Sequence, residues 1–137
     1  MGAAADIVRR LTDQGFVGGD LSVITELVAA GFVSHDPPPG IPGTRAGLAE
    51  LAQMVTSGTS ERKLEFDEFL EVTDGRVVEN WAMTARHTGE LFGIPATGVT
   101  ARVRGVEIWR CSDGQIVEHW GAVDMSDFFE KAQAALG

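Results

Sequence analysis

Apolar residues recur at a helical interval in the N-terminal part of the chain, at an alternating interval beyond Lys63, and at a helical interval again near the end. Ile7, Val8 and Leu11, followed by Phe16, form one side of a first helix that Gly18-Gly19 stops. Asp20 is placed to cap a second helix carrying Leu21, Ile24, Leu27 and Val28 and ending at Gly31. Phe32 to Asp36 then runs extended into Pro37-Pro38-Pro39-Gly40-Ile41-Pro42-Gly43, whose prolines forbid a helix and whose position suits the border of a pocket. Thr44 caps a third helix with Leu48, Leu51, Ala52 and Val55 on one side, broken at Ser57-Gly58-Thr59-Ser60.

From Lys63 the interval is two. Leu64, Phe66, Leu70 and Val72 alternate with Glu65, Asp67, Phe69 and Glu71, the pattern of a half-buried strand. Asp74-Gly75 predicts a hairpin into a strand from Arg76 to about Thr88, and the glycines and proline of Gly89 to Gly98 predict a long crossover. Another strand spans Val99 to Cys111, and Ser112-Asp113-Gly114 turns it into Gln115 to Asp124. Met125 to Leu136 carries the Phe128, Phe129, Ala132 and Leu136 stripe of a closing helix. Helices, a meander and a final helix define an α+β class. A strongly curved antiparallel sheet with helices across its open side encloses one pocket. No repeat or linker divides residues 1–137, which read as a single domain.

Composition narrows the partners. A formal charge of −9 repels phosphate backbones and anionic lipid surfaces, which argues against nucleic acid and membrane as partners. No apolar run approaches a membrane-spanning length, and the first residues lack a basic start followed by an apolar block, so a cytoplasmic protein is expected. The single cysteine, Cys111, has no internal disulfide partner and reads as a small core or strand-end residue. Abundant Ala and Gly, Arg in excess over Lys and the lack of Tyr suggest a GC-rich bacterial source.

Three stretches carry a family resemblance: His35-Asp36-Pro37, the run from His87 to Gly98, and Ile108-Trp109-Arg110 through Asp113-Gly114-Gln115-Ile116-Val117-Glu118-His119-Trp120. Over nearly its whole length the chain resembles the SnoaL-like polyketide cyclases of the nuclear transport factor 2-like superfamily. The resemblance implies a cone-shaped α+β barrel, often a homodimer through its sheet, that works with polar side chains and no metal or organic cofactor. Its best-known members close polyketide rings by an aldol reaction in which a pocket carboxylate acts as acid and base, a role that Asp124 or Glu107 would fill here. Some relatives are instead implicated in hydroxylating reduced aromatic polyketides, with a separate reductase as helper.

The residues offer candidates of their own. If Ser112-Asp113-Gly114 is a three-residue loop, Glu107 faces His119, and a carboxylate beside an imidazole can fix its tautomer and raise its basicity. A cross-strand ion pair is the alternative, and a two-residue turn would oppose Glu107 to Trp120 instead. The three-residue register also sets Arg102 against Asp124, while Asp124 is equally placed to cap the last helix. His35 is expected at a pocket mouth, with Asp36 as a turn device before proline. His87 shares its strand parity with Trp81, Met83 and Ala85, a face suited to a polycyclic aromatic ligand and equally to core packing; a hydrogen bond to the crossover backbone is the leading role for His87 itself. Trp109 and Trp120 fall on opposite faces, so at most one lines the cavity. The histidines and carboxylates show no metal-ligand spacing.

Together these features point to a cofactor-free cyclase acting on a flat, oxygenated, largely apolar substrate. Glu107, His119 and Asp124 are the acid-base candidates, and His35, Trp81, Met83, His87, Arg102, Trp109 and Trp120 the binding candidates. A hydroxylase and a non-catalytic ligand-binding module are the alternatives.

Overall fold

The computed structural model describes residues 2–137. Helix α1 (Ala3–Arg10) continues without a break into a wider π-helical stretch, Leu11–Val17, and α2 (Ser22–Leu27) follows. Strand β1 is Val28–Ser34, α3 is Arg45–Gly58, β2 is Thr59–Glu71 and β3 is Arg76–His87. The crossover then leads to β4 (Thr100–Ser112), β5 (Gln115–Asp124) and α4 (Ser126–Leu136).

The turn chemistry read from the sequence operates as expected at several ends. The Asp20 carboxylate accepts hydrogen bonds from the Ser22 backbone N–H and hydroxyl at 3.1 and 2.6 Å, and Thr44 Oγ1 accepts from Gly47 N–H at 3.2 Å. Asp74 and Gly75 both have positive φ, at 63° and 70°, which a tight hairpin between right-twisted strands requires. Gly58 ends α3 against the crossover, where a Cβ would lie 2.8 Å from the Glu90 carbonyl.

The five strands form one curved sheet in the order β1-β5-β4-β3-β2. Every pairing is antiparallel except β1 with β5, which corrects the expectation of a wholly antiparallel sheet. The second helix is also shorter than expected: Val28 leaves it to pair with Ile116 of β5, so Val28 to Gly31 is strand. Tertiary pairing overrides the helical spacing of Val28 because a fully buried β-branched side chain suits the sheet edge equally well.

Strand β2 departs from its simple alternation. Its register against β3 shifts between Phe66 and Glu68, so one extra residue changes which side chains face inward. Phe69 therefore joins Phe66, their rings 5.1 Å apart, while Leu70 is left 49% exposed. The main core lies between α1, α2, α3 and the sheet around Val8, Leu11, Ile24, Phe32, Ala52 and Ile116. A smaller cluster of Leu91, Ala101, Phe128 and Ala132 holds the crossover and α4 to the far end of the sheet. No helix among the described residues is long and apolar enough to cross a membrane.

Candidate functional site

The inward face of β3 is the series Val77, Glu79, Trp81, Met83, Ala85 and His87; all but Val77 line a cavity of about 1060 Å³. Strands β4 and β5 extend the wall through Ala101, Val103, Glu107, Trp109, His119 and Gly121, and the proline loop, α3 and α4 close the other sides. The lining is predominantly apolar. The volume reaches the upper end of the roughly 300–1,000 Å³ typical of small-molecule sites, room for a ligand of several rings. A second, shallower groove of about 280 Å³ runs over Asn80, Arg104, Val106 and Ala122, away from the buried acids.

Gly105 shapes the aromatic part of the wall. It is the cross-strand partner of Trp81, and a Cβ there would lie 2.5 Å from the indole ring. Without that Cβ the indole lies down against β4 and presents a flat surface to the cavity.

The polar part is concentrated at one end. Glu79 on β3 and Glu107 on β4 are register partners, and they are 2% and 7% exposed. Thr12 Oγ1, on the π-helical stretch, lies 2.7 Å from Glu79 Oε1. Across the next strand pair, His119 Nε2 lies 3.3 Å from Glu107 Oε2, and Ser34 Oγ lies 2.9 Å from His119 Nδ1. A neutral ring donates through one nitrogen and accepts through the other, so Nε2–H donating to Glu107 leaves Nδ1 to accept from the Ser34 hydroxyl. The Trp109 indole stacks obliquely on His119 at 4.3 Å and fixes the ring plane. The Trp109 N–H favours the charged form of Glu79 but is buried without a well-formed hydrogen bond.

Burial raises both carboxyls. Glu79 is pushed up to about 7, mainly by loss of water and further by the charge of Glu107, against the opposing pull of the Thr12 hydroxyl. Glu107 is also raised by burial, and its bond to His119 counteracts part of that rise. Gly121 is required for the seat of Glu107, since a Cβ there would stand 2.6 Å from Glu107 Oε1.

The Glu107–His119 contact arises from a register that neither turn length alone predicts. The turn is the two-residue Asp113-Gly114, with Ser112 opposite Gln115, but an extra residue at Val117 shifts the pairing between Arg110 and Cys111. Glu107 therefore faces Gly121, and His119 faces Trp109. The turn and the bulge together restore the parity of a three-residue loop, so Glu107 and His119 meet diagonally on the inward face.

Other candidates lie elsewhere. Arg102 does not oppose Asp124: Arg104 does, because the shorter turn and the extra residue each move the pairing by one. Arg102 is exposed outside the cavity, and its backbone N–H donates to Asp127 at 2.8 Å. Asp124 lies at the cavity rim and caps α4, accepting from the Ser126 N–H at 2.9 Å and hydroxyl at 2.7 Å. These bonds hold its carboxyl below the usual range, which makes it a weaker base. His35 and Trp120 stack on each other 5.0 Å apart, outside the cavity, where His35 bonds Glu118 at 2.8 Å. Trp109 is thus the inward tryptophan of that hairpin. His87 Nδ1 accepts from the Thr97 backbone N–H at 3.3 Å, which leaves Nε2 as a buried donor without a partner. Asp36 reaches the Gly121 N–H at 3.0 Å and joins the cavity wall. No cluster of three metal-ligand side chains occurs among the described residues.

Glu79 and Thr12 were not among the sequence candidates. The signal for Glu79 was its parity with Trp81 and His87; its pairing with Glu107 depends on a crossover too long to set a register from sequence.

The fold is shared by solved structures. IdmH of Streptomyces antibioticus, provisionally assigned as a polyketide cyclase, is 27% identical, with 98% of each chain covered and a TM-score of 0.75. AclR of Streptomyces galilaeus, provisionally a hydroxylase, is 23% identical over 96% of this chain and 81% of its own, with a TM-score of 0.82. A SnoaL-like polyketide cyclase, also provisionally assigned, from Jannaschia sp. CCS1 is 21% identical over 96% and 92%, with a TM-score of 0.80. No curated protein sequence matches. The SnoaL-like polyketide cyclase model matches residues 6–131, and with the curved sheet and its flanking helices in place the chain belongs to that family.

Proposed function

We propose that this protein is a cofactor-free acid-base catalyst that closes a ring, by aldol addition or a related proton transfer, in a polycyclic aromatic polyketide. The observation that carries this reading is the buried Glu107–His119 contact at the polar end of a large apolar cavity. A flat substrate stacks on Trp81, with Met83 completing the apolar surface beside it. Its reacting end then lies toward Glu107, which takes a proton from carbon next to a carbonyl while His119 orients the carboxylate and supports the charge change. Exclusion of water around Glu107, 7% exposed, strengthens each of these interactions.

Glu107→Gln and His119→Gln, tested on polyketide ring closure, should each lower kcat by about 10²- to 10⁴-fold while the folded spectrum stays unchanged. Undiminished turnover in both variants would remove the pair from the reaction. A second reading, oxygen insertion on a reduced aromatic ring with a separate reductase, is supported by the same apolar seat and by the likeness to AclR. Oxygen uptake with a dihydroquinone distinguishes it from ring closure. Ligand binding without turnover, indifferent to both substitutions, would instead identify a binding module.

A further inference from the structure

The reading above uses Glu107 and His119 and leaves a second buried carboxyl of the same cavity unexplained. We infer that Glu79 and Glu107 work as a coupled pair holding one proton between them, Glu79 delivering it to a ligand oxygen while Glu107, backed by His119, takes one from carbon. The inference rests on the proposed acid-base function and assigns Glu79 a role within it.

The geometry is cross-strand. Direct partners in adjacent antiparallel strands have Cβ atoms about 4.5–5.5 Å apart, and Glu79 and Glu107 both point inward from such positions to line the cavity. Repulsion between two buried carboxylates on paired positions of one cavity disfavours the state in which both are charged. The charged and titratable groups facing the pair are Arg9 from α1, Asp36 from the proline loop and His119 from β5. Arg9 is directed away: its Nε bonds Asp13 at 2.9 Å and its guanidinium lies 4.5 Å over the Phe66 ring. Asp36 adds negative charge, and His119 attends Glu107 alone.

Thr12 holds the Glu79 side chain in place. Its hydroxyl lies 2.7 Å from Glu79 Oε1 and 3.1 Å from the Val8 carbonyl. The hydroxyl shares its proton between the two oxygens, and by donating to Glu79 it favours the charged form against the push of burial. Burial outweighs that bond and, with the charge of Glu107, pushes Glu79 up to about 7.

The reaction balances with these groups. Glu107 takes the proton of the C–H bond, and the resulting enolate carbon bonds the acceptor carbonyl carbon. The carbonyl π electrons move to oxygen, which takes the proton of Glu79. The product is a β-hydroxy ketone, with no net oxidation and no water gained or lost. Glu107 is then protonated and Glu79 charged, and transfer of that proton across the pair restores the starting state.

The first test needs no substrate. Protein labelled with glutamate carrying ¹³C at the side-chain carboxyl is titrated by NMR, with Glu79 assigned by its loss in Glu79→Gln. The Glu79 midpoint should lie near neutral pH in the wild type and fall in Glu107→Gln, where an amide replaces the neighbouring charge. Should that variant not fold, Thr12→Val serves instead and should move both carboxyl midpoints. A Glu79 midpoint that ignores Glu107→Gln, or a Thr12→Val effect confined to Glu79, overturns the pair.

The second test uses a fluorogenic β-hydroxy ketone bearing a methoxynaphthyl ring, cleaved in the retro-aldol direction. Glu79→Gln should lower kcat by about 10²-fold with little change in KM, and remove from the pH-rate profile the limb near neutrality. If the wild type turns over and Glu107→Gln does not, yet Glu79→Gln keeps rate and profile, the donor role falls while the proposed function stands. If the wild type lacks turnover while the carboxyls remain coupled, the proposed function and the donor role both fall and only the coupled pair survives.

Discussion

A carboxyl as buried as Glu79, 2% exposed, ties stability to pH. Its folded value, about 7, lies above the ordinary 4.5, so the unfolded chain releases this proton more readily than the native one. The stability it supports is complete below about pH 4.5 and declines as pH rises to about 7, by at most about 3 kcal/mol at roughly 1.4 kcal/mol per tenfold change. The wild type should therefore unfold at a lower urea concentration at pH 8 than at pH 5, and Glu79→Gln should show a smaller difference, with the raised Glu107 supplying part of what remains. Asp124 acts with the opposite sign. Its depressed value means that its stabilisation holds above about pH 4 and is lost as acid protonates it. Asp124→Ala should lower the thermal midpoint at pH 7 through loss of the α4 cap and leave turnover near wild type, as measured by calorimetry beside the ring-closure assay. Gly105 and Gly121 were legible only as gaps in the alternation; that one makes room for an indole and the other for a carboxylate depends on their cross-strand partners.

The elements that obey local rules were the ones the sequence disclosed. Thr44, Asp20 and the two Asp-Gly turns act within a few residues, so their chemistry can be read in place. Bulges hide the rest. Leu70 and Phe69 have nearly equal claims to the inward face, and the extra residue near Asp67 decides for Phe69, on whose ring Arg9 also packs at 5.5 Å. Val117 acts more directly on the site, because it restores the parity that brings His119 beside Glu107. Deleting Val117 should make the ladder regular, with Arg110 still opposite Glu118 and Trp109 still opposite His119, so His119 stays inward. The wall keeps its side chains, and the change is confined to the bend and twist that the bulge gives β5. The expected outcome is a near-ultraviolet circular dichroism of the tryptophans close to wild type; its loss, with the far-ultraviolet signal retained, would show that β5 depends on the bulge for its packing.

On the scale of the whole molecule, the helices pack against one face of the sheet and leave apolar side chains on the other. Leu70, Val78, Ile108 and Trp120 are successive register partners from β2 through β3 and β4 to β5, so they form one apolar row across the outer surface. Val106 and Ala122 lie beside it, both exposed, in the next inward-skipping row. Apolar side chains arranged across four strands reduce their contact with water when a second copy covers them, and a two-fold axis through the row would make the contact self-complementary. We propose that the chain forms a homodimer through this surface, with both cavities opening away from it. Ile108→Glu, at the centre of the row and pointing away from the cavity, tests the arrangement. Analytical ultracentrifugation should show the wild type as a dimer and the variant as a monomer with an unchanged circular dichroism spectrum. Persistence of the dimer would move the contact elsewhere, and a monomeric wild type would remove it. Because Glu107 is the neighbour of Ile108 but faces inward, separation of the subunits should leave Glu79 titrating near neutral pH, which separates the stability of the assembly from the chemistry of the site.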